Sequence, residues 1–133
     1  MKKEEPKLAL PKKKRQLSTL GKRRKEIDRV WKLFERGKIG WMQGDLSINK
    51  DGKPEDVWSK DVCRMCITGA IHRIYGKPAS PGMSMFFISR NKEPEEIIKK
   101  LETHLNVSAL WRWNDRQFRR VGEIIAVCKE LDI

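Results

Sequence analysis

At 133 residues and 38% hydrophobic composition, the chain has room for one modest core rather than several domains. Its net charge of +12 is concentrated: residues 1–26 hold 11 Lys/Arg against 3 Glu, a net +8, which points to polyanions as partners because Lys and Arg neutralise phosphates and release counterions. Three cysteines are an odd number without a secreted-scaffold spacing, and the longest apolar run, around Met83 to Ile88, is far short of the roughly 18 residues a membrane span needs, so a disulfide framework and a transmembrane helix are both disfavoured.

Residues 1–18 place Pro6 and Pro11 among lysines and bury too little apolar surface to offset chain entropy, so a disordered basic arm is expected there, carrying Lys12, Lys13, Lys14 and Arg15. Residues 19–133 are expected to form a single small helical domain. Ile27, Val30, Trp31 and Phe34 fall on one helical stripe that Gly37 and Gly40 close, with Lys22, Arg23, Arg24 and Lys25 in its first turns. Cations there oppose the helix dipole, so that cluster is not placed for helix stability.

The segment Trp41 to Trp58 reads as a structured loop with at most a short hairpin, because Gly44, Asp51-Gly52 and Pro54 punctuate it. Ser59 is a good N-cap for a second helix with a stripe of Val62, Cys63, Cys66, Ile67, Ala70, Ile71 and Ile74, ended by Gly76-Lys77-Pro78. The apolar knot at Met83 to Ile88 has no decisive period. Pro94, Glu95 and Glu96, followed by Lys99 and Lys100, set charges along the dipole of a third helix whose core side is Ile97, Ile98, Leu101 and Leu105. Asn114 or Asp115 can cap a fourth, with Phe118, Val121, Ile124, Ile125 and Cys128 on one face. The expected fold is therefore all-α: a compact bundle of about four helices with long structured loops.

Candidate chemistry is sparse. Cys63-Arg-Met-Cys66 has zinc or redox spacing, but His72 lies about 240° around the expected helix from Cys66 and cannot close the same tetrahedron, so buried thiols are the simpler reading. His72 and His104 are most simply surface or boundary residues. "SINKDGKPEDVW" matches a calcium loop at Asn49, Asp51 and Gly52 and fails at Ser47, Pro54 and Trp58, where an Asp-Gly turn explains the same letters. Neither a nucleophile elbow, a phosphate loop nor a dinucleotide fingerprint occurs, and no catalytic residue, metal or cofactor is assigned.

"WRWNDRQFRR" is the richer segment. If Asp115 caps the last helix, Arg116, Arg119 and Arg120 sit in its opening turns against the dipole, which suits an anion or partner site with Trp113 or Trp111 stacking beside it. The competing account is structural: Asp115 caps, Glu123 pairs with Arg119, and the tryptophans belong to the core.

Taken in order, Trp41, Gly44, Asp51-Gly52, Cys66, Gly69-Ala70 and Trp113-Asn114-Asp115 resemble a small uncharacterised family of bacterial, notably actinobacterial, and phage proteins with Trp-x-x-Gly, Cys-x-x-Gly-Ala and Trp-Asn-Asp motifs, here "WMQG", "CITGA" and "WND". The resemblance spans about residues 25–130 and implies a compact accessory domain with no catalytic residues to carry over. Gly69-Ala70 would then allow a close helix crossing, and Asn114-Asp115 would cap a helix.

The sequence thus leads to the expectation of a non-enzymatic accessory protein that binds nucleic acid or a nucleoprotein machine through its basic arm, in the cytoplasm of a bacterial host cell, or in a nucleus only if the organism is eukaryotic, since "PKKKR" also resembles a nuclear import signal. Two alternatives stand beside it: a phage or bacterial inhibitor that occupies a host protein surface with Trp and Arg anchors, and a small-molecule or nucleotide binder or enzyme built on the WND and CITGA segments.

Overall fold

The computed structural model describes residues 27–78 and 92–133; the basic arm, Lys22 to Lys25 and the apolar knot at Met83 to Ile88 lie outside them. Among the described residues the order is α1 (Val30–Arg36), β1 (Gly40–Trp41), β2 (Ser47–Asn49), β3 (Val62–Met65), α2 (Ile67–Tyr75), α3 (Lys92–Leu105), α4 (Leu110–Asn114) and α5 (Val121–Leu131). The three strands form a mixed sheet in the order β1-β3-β2. β3 runs parallel to β1, with Trp41 opposite Met65, and antiparallel to β2, with Ser47 opposite Met65 and a bulge between Ile48 and Asn49. The fold is α/β, which overturns the all-α expectation.

The error has a local cause. Ser59 does not cap a helix: its hydroxyl accepts from the Asp61 N–H at 3.0 Å and closes a local turn. The chain then enters β3, and the helix starts only at Ile67, where Cys66 is the N-cap and its Sγ accepts the Gly69 N–H at 3.4 Å. Val62, Cys63 and Cys66 happen to fall at helical spacing, and a four-residue strand is too short for period 2 to show against it. What decides for strand is pairing with β1 and β2, which sequence-local patterns do not contain.

α1 begins only at Val30, after Arg29 as N-cap, so Ile27 precedes it and the expected start at Lys22 to Lys25 is not the start of α1; Gly37 closes it, its N–H donating to the carbonyls of Lys32 and Leu33. α3 carries the expected core side, with Leu101 fully buried and Ile97, Ile98 and Leu105 packed against the core. The expected fourth helix is two: α4 ends at Asn114, and α5 begins after Arg120, whose N–H is taken by the Glu123 carboxylate at 2.9 Å. The core gathers Val30 and Leu33 of α1, Val62 and Met65 of β3, Ile67, Ala70 and Ile71 of α2, Leu101, Leu110, and Ile124, Val127 and Cys128 of α5.

Gly69 serves a different contact from the helix crossing expected of it. A Cβ there would meet the Leu46 carbonyl oxygen at 2.5 Å, so the missing side chain lets α2 lie on the backbone of the β1–β2 loop. Cys66 N–H donates to the same Leu46 carbonyl at 3.0 Å. Gly69→Ala raises helix propensity, yet it should destabilise the protein by about 2–3 kcal/mol in urea unfolding, because backbone cannot yield as a side chain can; a neutral or stabilising result would disprove this contact.

His72 is buried at 7% exposure rather than at the surface, and its Nδ1 has no hydrogen-bond partner among the described residues. Burial lowers its pKa below the ordinary 6.5, against a weaker opposing pull from Glu95. The unfolded chain therefore binds a proton more readily than the native one, so this stabilising contribution is complete above about pH 6.5 and is lost as pH falls. Melting temperature should drop from pH 7 to pH 5, and His72→Leu should flatten that slope.

Candidate functional site

The three motif segments meet at one side chain. Asn114, 0% exposed at the end of α4, uses all of its hydrogen-bonding capacity. Its Oδ1 accepts from the Trp41 indole N–H at 2.7 Å and the Ile67 N–H at 3.0 Å; its Nδ2 donates to the Met42 carbonyl at 3.1 Å and to Asp115 Oδ1 at 2.9 Å. Asp115 Oδ1 also accepts the Gly44 N–H at 3.0 Å, where Gly44 has a positive φ of 93° that a side chain would strain. Gln43 completes the junction by donating to the carbonyls of Asn114 and Arg116, each at 2.9 Å. Asn114 and Asp115 are therefore not the N-cap of the last helix but a buried tie between β1, α2 and α4.

Beside this tie lies an open cleft of about 460 Å³. Its buried lining is Ser47, Val57 and Cys66, and its exposed rim includes Gly44, Asp45, Pro54 and Trp111. The Arg73 guanidinium on α2 holds the far wall by donating to the carbonyls of Val57 at 2.6 Å and Ser59 at 3.0 Å, while the Ser47 hydroxyl donates to the Glu55 carbonyl. Burial pushes the Cys66 thiol up, outweighing the Gly69 and Thr68 N–H groups that favour its charged form, and its Sγ caps α2. Burial alone pushes Cys128 up to about 12.

The arginines of "WRWNDRQFRR" do not share one role. Arg119, with its side chain 12% exposed, stacks 4.1 Å from the Trp113 ring centroid, donates to the Trp113 carbonyl at 2.9 Å and pairs with Glu123 at 3.2 Å. It is a structural strut. Arg116 and Arg119 lie in the connection between α4 and α5 and Arg120 is the N-cap of α5, so the expected placement of all three in a helix's opening turns does not occur. A different arrangement takes its place: Arg112 and Arg116, one helical turn apart in sequence, line a shallow groove of about 330 Å³ with Ser108 and the half-buried Trp113. Among the described residues neither guanidinium has a carboxylate partner.

Next to this groove the Arg116–Arg119 turn, closed by the Arg119 N–H to the Arg116 carbonyl at 3.0 Å, carries Phe118 at a φ of 69° and 85% exposed. Gly or Asn usually fills that position, and a Phe there costs on the order of 1–2 kcal/mol while burying little of its surface. Lys12, Lys13, Lys14, Arg15, Lys22, Arg23, Arg24 and Lys25 lie outside the described residues.

Asn49 Oδ1 accepts from the N–H groups of Asp51 and Lys53, so the calcium-like letters fold as a turn. Cys63 is on β3, Cys66 caps α2, and among the described residues no three His, Cys, Asp or Glu side chains gather to hold a metal. His104 pairs with Glu130 at 3.0 Å on the surface. Sequence reasoning missed the cleft itself. The available signal was that Asp45, Asp51, Glu55 and Asp56 outnumber Lys50 and Lys53 within 12 residues of a chain of net charge +12.

The fold and this junction define a small α/β domain in which three separated segments close on one buried amide. The chain belongs to the family of unknown function DUF6197, whose model matches residues 37–131. No curated protein and no solved structure matches it. Among the described residues no helix is long and apolar enough to cross a membrane.

Truncating Asn114 strands the Trp41 and Ile67 donors and the Met42 carbonyl at once. Asn114→Ala should cost about 3–5 kcal/mol in urea unfolding; a loss below about 1 kcal/mol would mean that water or rearrangement replaces the amide and that it is no keystone.

Proposed function

We propose that the chain is a nucleic-acid-binding accessory protein of bacterial or phage origin, with affinity drawn mainly from phosphate contacts. The observation that carries this reading is the Arg112–Arg116 groove, whose two guanidiniums lack carboxylate partners among the described residues and sit beside Trp113. Planar guanidiniums suit phosphate oxygens, and a strained, exposed Phe118 offers a face on which a base can stack. The net +8 of residues 1–26 adds a second phosphate-neutralising element in sequence. Contacts of this kind hold the backbone and carry little sequence information. In a bacterial or phage setting "PKKKR" has no import receptor to read it, and the same charges serve the polyanion.

Salt titration of oligonucleotide binding tests the reading. The full chain should bind single strands with a steep salt dependence, and Arg112→Gln/Arg116→Gln should reduce the slope of log K against log salt by about 1.4, two contacts' worth on a single strand. A chain starting at Gly21 should lose more, provided that its melting temperature is retained. Absence of oligonucleotide binding by the full chain in dilute buffer, or indifference to both changes, would remove the proposal; indifference with a captured protein partner would favour the host-protein alternative.

A further inference from the structure

The cleft beside Asn114 has the opposite electrostatic character from the rest of the chain. Asp45, Glu55, Asp56 and Asp115 all line it, and among the described residues none of the four is in a salt bridge, in a protein of net charge +12. Three have partial hydrogen-bonding duties: Asp115 takes the Gly44 N–H, Asp56 the Trp58 N–H at 2.9 Å, and Glu55 the Asn49 amide at 3.2 Å. Each keeps further lone pairs, since a carboxylate has about four acceptor sites. Asp45 is exposed at the rim with no hydrogen bond among the described residues.

Between these acids the cleft surface is apolar, with Leu46, Pro54 and Val57. Trp111, 56% exposed, stands at its edge. Its ring already has the Arg112 guanidinium 5.1 Å from its centroid, so a cation beside this indole is a geometry the chain itself adopts. The volume of about 460 Å³ lies in the roughly 300–1,000 Å³ range of small-molecule pockets. The position is also held from three sides: Gly44 and Asp115 belong to both the cleft and the Asn114 tie, and Cys66 caps α2 at its floor. A metal ion does not fit, because among the described residues no three of these acids stand close enough together to coordinate one. Phosphates and other anions would meet carboxylates.

We infer that this cleft binds a small organic cation, an amine or guanidinium joined to an apolar or aromatic body, with the body on Leu46, Val57 and Trp111 and the charge among Asp45, Asp56 and Asp115. The cleft shares no lining residue with the Arg112–Arg116 groove, though the Arg112 guanidinium adjoins it at Trp111, and the inference does not rest on nucleic-acid binding.

Two probes of one shape and opposite charge test it on the full chain by titration calorimetry: 2-phenylethylammonium and 3-phenylpropanoate. The cation should bind saturably and raise the melting temperature, and the anion should bind at least about tenfold more weakly. Asp45→Asn/Asp56→Asn removes two charges, while the amide oxygen introduced in place of the Asp56 carboxylate can still accept the Trp58 N–H. This double variant should weaken the cation by about tenfold, with oligonucleotide affinity unchanged or improved. Equal binding of the two probes, no saturable binding of the cation, or a double variant that binds it unchanged would each overturn the inference. Should that variant fail to fold, the comparison of the two probes on the wild-type chain decides.

Discussion

One buried amide organises this molecule. Asn114 replaces water for two donors and one acceptor that would otherwise be stranded inside, and it does so across sequence separations of 47 to 73. Each bond is worth only about 1 kcal/mol net, but a fully satisfied network in a low-dielectric interior fixes one geometry, since any displacement leaves several groups unpaired together. The β1 exit, the α2 N-terminus and the α4 C-terminus are thereby set relative to one another. Gly69 and Gly44 are the steric conditions for that closure: one admits the Leu46 backbone against α2, the other turns the chain through a positive φ toward Asp115.

Because the junction is rigid, the surfaces it carries are placed with equal definition. Asp115 lines the acidic cleft together with Trp111, and Arg112 and Arg116 line the basic groove, with the Arg112 guanidinium 5.1 Å from the Trp111 ring between them. Two regions of opposite charge thus adjoin at the five-residue α4. Among the described residues the guanidiniums of Arg112 and Arg116 are paired with no carboxylate. Arg119 shows the contrast: bonded to the Trp113 carbonyl, stacked on its ring and paired with Glu123, it supports the groove wall and has little left to offer a ligand.

Much of the helical content was legible. α1 and α3 declare themselves through apolar stripes, a closing Gly37 and charges along the dipole, all of them effects within a few residues. The sheet was not legible, because β1 has two residues and β3 four, and β3 borrows a helical spacing from the α2 stripe that follows it. The motif residues could be singled out, but their roles were misread: Asn114-Asp115 looked like a cap because that is the commonest local use of those side chains, and Gly69 looked like a helix crossing for the same reason.

Read alone, the residue order established the charge and where it is concentrated, the helices whose amphipathic face is long enough to recognise, and the positions worth watching at "WMQG", "CITGA" and "WND". It took the folded chain to make Val62–Met65 a strand, Asn114 a buried tie and Arg119 a strut, and to bring acids scattered from Asp45 to Asp115 around one cleft. The difference is one of range: helix propensity and capping act over one or two turns, whereas strand pairing, amide satisfaction and the gathering of charges depend on partners that only closure of the chain brings within reach.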